Sequence, residues 1–288
     1  MFFLELFLVG LTWGAMYALM ALGLTLVYGL LRILHVAHAG IFTLGAYIGV
    51  VVANTTGSIW FALLSAVVVA AITGPLVYRL LYEPILKQPP YVPLIASIGL
   101  FIAMEDGFRL VFGPYGLSFD HNPWFVSSYE LFGGLTMNVV QIAMAATTAL
   151  LFGALAVFFY VSRAGVAWRA TVTDSQMAES FGIDPIKVRY LNFAISSAFA
   201  AVAGVLVGIL NNLVEPGMGA VISYKGLAII VLGGLGNVQG ALIASLLLGV
   251  VESFGTIYLA HVLDRDAIAF LVLIVVLMVR PQGLFGRT

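Results

Sequence analysis

Between Ile33 and Tyr78 the chain carries no Asp, Glu, Lys or Arg, and Leu6 to Leu31 and Gly226 to Val251 are equally free of formal charge. A helix crosses a hydrocarbon core of about 30 Å with about 20 apolar residues, so the first of these runs is too long for one span and must turn back on itself. Composition points the same way. With 62% hydrophobic and 9% charged residues and a mean hydropathy of +1.11, a soluble globule would lack the polar surface to cover itself. The expected fold is all-α, a polytopic membrane protein forming a single transmembrane domain over residues 1–288. Its abundant glycine suits helices that approach closely in a bilayer. With no Cys in the chain, disulfides and thiolate metal sites are excluded.

The runs divide into spans at their polar joints. Leu6–Leu31 is the first, and the opening MFFLELFLVG, lacking a basic n-region, reads as its start. Asn54-Thr55-Thr56-Gly57-Ser58 is a turn between spans at Ala37–Ala53 and Ile59–Arg79. A joint with Glu83, Pro84, Lys87, Pro89 and Pro90 leads to a fourth span, Pro93–Phe112. Residues 113–138 read as a loop, with Gly113-Pro114, Asp120, Asn122-Pro123 and Gly133-Gly134, and with Tyr115, Trp124 and Tyr129 suited to the headgroup region. Spans follow at Val139–Val161 and Leu191–Leu210. The stretch from Gly226 is interrupted by Gly233-Gly234-Leu235-Gly236-Asn237; glycine costs a helix about 1 kcal/mol relative to Ala, so a discontinuous segment is expected. A helix from Gly240 to Leu263 carrying Glu252 and a last span, Ala267–Val279, bring the total to about eight to nine.

The longest polar interval is 162–190. Asp174 stands at an N-cap, Gly182 at the left-handed C′ position, and Asp184-Pro185 restarts a helix with Asp as cap and Pro at N1. A short polar helix, about Ser175–Phe181, is therefore expected on a tight turn between two spans, placed to be gripped from outside the bilayer. If that hairpin is cytoplasmic, Arg32, Arg79, Lys87, Arg163, Arg169, Lys187, Arg189, Arg280 and Arg287 all lie inside, leaving Arg109, Lys225 and Arg265 on or near the other side. The N-terminus is then outside, the C-terminus inside and the 113–138 loop external.

Chemical motifs are mostly absent. No G-x-x-x-x-G-K-[ST] run offers a phosphate cradle, and no Ser/His/Asp elbow or H-E-x-x-H is present. His35 and His38, three apart, invite a metal or proton-relay reading, but no carboxylate or thiolate lies near in sequence, which favours packing and hydrogen bonding. Arg109 is i+4 from Glu105 and i+3 from Asp106, so an intrahelical ion-pair set competes with a role for a carboxylate in an outer vestibule. Glu252, alone in an apolar helix, either lines a pathway or meets another helix. The glycines Gly233, Gly234 and Gly236, with Asn237, read equally as close packing or as a hinge or pathway segment.

Four stretches then carry a resemblance: Gly23–Tyr47, Asp174–Gly204, Gly226–Glu252 and Arg280–Gly286 (RPQGLFG), in order along the chain. Together they resemble the membrane permease of bacterial ABC importers for branched-chain amino acids, and within that family the shorter of two permease subunits. The resemblance implies an inner-membrane protein working with ABC ATPase subunits, a second homologous permease and a periplasmic substrate-binding protein. It implies no resident cofactor, with ATP bound by the partner subunits, no metal and no nucleic-acid partner. It also implies that the hairpin is a coupling helix seated on the ATPase, with Asp174, Ala178, Glu179, Gly182, Asp184 and Pro185 in it. Candidate pathway residues are His38, Glu105, Asp106, Gly233, Gly234, Gly236, Asn237 and Glu252. Three positions depart from the family pattern: Glu179 where a basic residue is common, His35 where Asn is usual, and Ala39 where Gly is usual. A self-sufficient secondary transporter or channel using Glu105, Asp106 or Glu252 is the alternative.

Overall fold

A computed structural model describes residues 2–120, 127–130, 136–259 and 264–286. The expected turn residues Asn122, Pro123, Trp124, Gly133 and Gly134, the helix end at Leu263, and Arg287 lie outside these. The described chain is a helical bundle: α1 Phe2–Leu31, α2 His38–Thr56, α3 Ile59–Val77, α4 Tyr91–Phe112, α5 Val139–Val161, α6 Arg163–Thr173, α7 Ser175–Ser180, α8 Pro185–Asn211, α9 Met218–Gly233, α10 Val238–Tyr258 and α11 Arg265–Val279. A small antiparallel pair, β1 Ser128–Glu130 and β2 Thr136–Asn138, joins Tyr129 to Met137 within what the sequence presents as loop. Asn138 then caps α5 in a reciprocal box with Gln141, so that loop ends in a specific helix start.

Among the described residues six helices are long and apolar enough to cross a membrane: α1, α2, α3 with its continuation to Ile85, α5, α8 and α10. Of the remaining candidates, α4 carries Glu105, Asp106 and Arg109, while α9 and α11 have 16 and 15 residues. Burial sorts the six. The most apolar stretch of α1 is 83% buried within the protein and that of α8 78%, against 22% for α3 and 17% for α5. Thus α1 and α8 form the axis, while α3 and α5 present Trp60, Phe61, Leu64, Leu150 and Val157 outward. An apolar face so exposed is costly in water and costs little against lipid.

Small residues set the central packing. A methyl on Gly10 or Gly14 of α1 would collide with the backbone of α10 near Leu246 and Val250, and one on Gly249 would meet Gly10 and Gly14 in return. The two helices therefore touch backbone to backbone, as membrane helices with small residues spaced by four do. Gly45 and Gly204 play the same part between α2 and α8.

Three features depart from the sequence expectation. First, α2 does not begin at the end of the bundle where α1 stops. Its first residue, His38, packs on Gly23, eight residues and so about 12 Å back along α1. The connector 32–37 thus runs into the bundle, and its buried Ala37 N–H is satisfied by Ser97 Oγ of α4 at 2.9 Å. Second, α3 continues beyond Pro75 as a π turn, Tyr78–Tyr82, which carries Tyr78 and Tyr82 inward onto Phe193. Third, the Glu252 helix starts at Val238 and ends at Tyr258, and the last helix starts at Arg265, earlier than the apolar run suggests, because Arg265 and Asp266 find buried partners.

The expected break is present. α9 stops at Gly233, Gly234 and Gly236 adopt φ of 95° and 81°, and Asn237 caps α10 by accepting from Gly240 N–H at 3.0 Å. The C-terminal segment closes over this turn: Leu284 N–H donates to Leu232 O at 2.7 Å and Asn237 Nδ2 donates to Phe285 O at 3.0 Å.

Candidate functional site

The polar hairpin is built from local rules. Ser162 ends α5 and caps α6, accepting from Gly165 N–H at 2.9 Å. Asp174 Oδ1 accepts from Gln176 and Met177 N–H at 2.9 and 3.0 Å, starting α7. Gly182, at φ 82°, reverses the chain, with Ile183 N–H returning to Ala178 O at 3.1 Å. Asp184 Oδ1 then accepts from Ile186 and Lys187 N–H, and Pro185 opens α8. The helix Ser175–Ser180 stands one residue short of the expected end at Phe181.

The preceding helix α6 is the part of the hairpin that residue patterns do not announce. It is held to the bundle by Trp168, whose Nε1 donates to Asn192 Oδ1 at 2.8 Å, while Asn192 Nδ2 donates to Leu26 O at 3.1 Å. A single buried amide thus links α1, α6 and α8. On the exposed side, Met177 and Phe181 stand out, Phe181 at 80% exposure, and nothing lies within 4 Å of where a Gly182 side chain would begin. Glu179, Asp184 and Asp174 are exposed as well, but Ala178 is buried inside the hairpin at 3% and serves its internal packing.

Glu252 meets other helices. Its carboxylate accepts from Tyr17 of α1 (2.6 Å) and pairs with Lys225 of α9 (3.0 Å) and Arg265 of α11 (2.7 Å). Lys225 also reaches Asp266 at 2.9 Å, Asp266 accepts from Tyr224 at 2.5 Å, and the Arg265 guanidinium lies 3.8 Å over the Trp13 ring. Two cations and two carboxylates on three helices therefore neutralise each other, with Tyr17 tying in the fourth, α1. Such a set is costly to assemble in a low dielectric and costlier to leave incomplete. Sequence reading singles out Glu252 but not Lys225, Arg265 or Tyr17 as its partners; the available signal is that both basic residues sit beside apolar helices, away from the other cations.

The remaining candidates fall elsewhere. Arg109 pairs with Glu105 at 2.5 Å and with Asp106 at 3.0 Å on the exposed side of α4, the intrahelical arrangement their spacing implies. Glu105 turns its carboxylate toward Gly217 at the start of α9. His38 is fully buried beside His35, whose Nδ1 is 2.6 Å from Tyr82 Oη, and among the described residues no cluster of three or more His or acidic residues forms a metal site. Gly233, Gly234, Gly236 and Asn237 gather at the hairpin end of the bundle, where Gly236 comes close to Gly29 of α1. Among the described residues no hydrogen bond or ion pair joins Glu105 or Asp106 to Glu252.

Buried charge neutralised within the bundle, apolar outer faces and a polar hairpin standing clear of them define a polytopic membrane protein. The family model for the permease component of branched-chain amino acid transport systems matches residues 6–279, and the chain belongs to that family. It is 33% identical to the high-affinity branched-chain amino acid transport system permease protein LivH of Escherichia coli K12, over all of this chain and 96% of that protein. Identity to BraD of Pseudomonas aeruginosa is 32%, over 96% of this chain and 94% of the relative. The LivM permease of Escherichia coli K12 is 28% identical, but 94% of this chain covers only 68% of it, so the likeness is to the shorter, LivH-type subunit. No solved structure matches.

Proposed function

We propose that the chain forms the inner-membrane path for branched-chain or closely related amino acids, working by alternating access driven by ATP bound to separate ATPase subunits. A second permease completes the path and a periplasmic binding protein delivers substrate. In this reading the hairpin faces the cytoplasm, the N-terminus lies outside, and α4, α9 and α11 complete nine crossings with the six long helices. The substrate class rests on the names of the full-length relatives.

The observation that carries the mechanism is the hairpin. It is stiffened at both ends by aspartate caps, tied to α1 and α8 through Asn192, and offers Met177 and Phe181 with open space over Gly182. Closure of an ATPase dimer against such an element would tilt α5 and α8, which carry it, and move the path between its two open states. The neutralised network around Glu252 favours this over a self-sufficient ion-coupled carrier, because a carboxylate held by Tyr17, Lys225 and Arg265 is poorly placed to exchange an ion at each cycle.

Gly182→Trp tests the proposal. It places bulk where the partner would seat and strains a positive φ, so uptake of radiolabelled leucine by the assembled transporter should fall to background while the amount of chain in the membrane is unchanged. Uptake at the parental rate would remove the coupling role.

A further inference from the structure

A crevice of about 750 Å³ opens at the hairpin end, between the ends of α1 and α5, helix α6 and the start of α10. Among the described residues its charged lining consists of two arginines, Arg32 and Arg169, with no acidic side chain. Neither arginine has an ion-pair partner among the described residues; Arg32 is exposed and Arg169 half-buried. Arg32 follows α1 directly with φ 58°, a conformation that residues with a side chain rarely adopt. Asn212 takes the same left-handed conformation after α8, and Arg32 N–H donates to Tyr28 O at 2.8 Å, so this geometry ends α1 and leaves the Arg32 side chain at the crevice wall. Arg169 lies 5.3 Å over the Tyr160 ring, and the neighbouring Trp168 is fixed by its bond to Asn192.

The remaining wall grades from polar to apolar. Tyr160 and Trp168 stand near the arginines, whereas Phe152 is eight residues, about 12 Å, farther up α5 toward the middle of the span. Leu155 and Leu242 line the same inner part. A cation at the end of α1 and another on the hairpin helix α6, aromatic rings beside them and an apolar slot above repeat the layering of a lipid leaflet. A zwitterionic amino acid would need an acid as well as a base, and the described lining supplies no acid. We propose that this crevice binds an anionic phospholipid, with Arg32 and Arg169 on the headgroup phosphate and Phe152, Leu155 and Leu242 against the first part of an acyl chain.

The test is native mass spectrometry of the full chain, alone and co-purified with its second permease, in micelles containing phosphatidylglycerol and phosphatidylcholine. Both forms of the parental protein should retain phosphatidylglycerol in preference. The Arg32→Gln/Arg169→Gln double variant should lose that preference by about thirtyfold, the scale of two cations near an anionic surface. Arg163→Gln, at an exposed residue outside the crevice, should leave it unchanged. Leu242→Trp, which fills the apolar slot and keeps both charges, should also release the lipid, so the proposal stays testable should the double variant fold poorly. The proposal is overturned if the parental chain shows no preference, if the double variant keeps it, or if Arg163→Gln abolishes it equally, which would mean diffuse surface charge. Displacement of the lipid by excess inorganic phosphate would assign a free-anion site instead. Loss of the lipid on assembly would mean that the second permease fills the crevice.

Discussion

The hairpin and the Glu252 network both hold charged residues, and they use them in opposite ways. In the hairpin, Asp174 and Asp184 each bond to backbone two and three residues ahead, in contact with water. In the network, Tyr17 and Glu252 are 235 positions apart and the carboxylate is fully buried. Local caps shape an element that must stay exposed to be gripped. Long-range pairs fix how α1, α9, α10 and α11 sit against one another. Removing a cap therefore frays one turn, while removing one ion of the network leaves its partners unmatched in a low dielectric.

The largest effect is expected from Lys225→Met. It strips the shared cation from Glu252 and Asp266 and should destabilise the purified protein by about 3–5 kcal/mol, read as a lower unfolding midpoint in detergent. Adding Glu252→Gln balances the remaining Arg265 against Asp266 and should restore more than half of the loss. A double variant no more stable than the single one would show that the carboxylate does something other than neutralise Lys225.

The same contrast explains what could be read from residues alone. Asp174, Gly182 and the Asp184-Pro185 pair announce the hairpin because capping is written within three or four positions. The glycine break after Gly233 is legible for the same reason, since Gly234 and Gly236 take positive φ where helices stop. The α6 helix is less so: its cap, Ser162, also reads as the end of a span, and its anchor is Asn192, 24 residues beyond Trp168. The inward course of 33–37 is invisible to hydropathy, because a charge-free segment is compatible with either side of a turn; only the fit of His38 against Gly23 and of Ala37 N–H on Ser97 decides it. Glu252 is conspicuous in its helix, but nothing in spacing links it to Lys225 or Tyr17.

A smaller effect is expected at the hairpin. Asp174→Ala removes the acceptor for Gln176 and Met177 N–H and should cost the α7 turn about 1 kcal/mol. Leucine uptake should fall severalfold with the global unfolding midpoint unchanged, since the cap stabilises one exposed turn. Asp174→Asn, which caps as well, should retain most of the uptake. Equal loss in both variants would move the explanation from helix capping to negative charge at the ATPase surface.

The smallest effect belongs to Arg109→Gln. Its pairs with Glu105 and Asp106 lie on the exposed side of α4, with the Arg109 side chain half exposed, and surface pairs at this spacing contribute less than about 0.5 kcal/mol. Stability and leucine uptake should both stay near parental values. A severalfold rise in the KM for uptake without loss of stability would instead mean that the cation holds Glu105 for substrate entering beside Gly217, and the outer end of α4 would join the path.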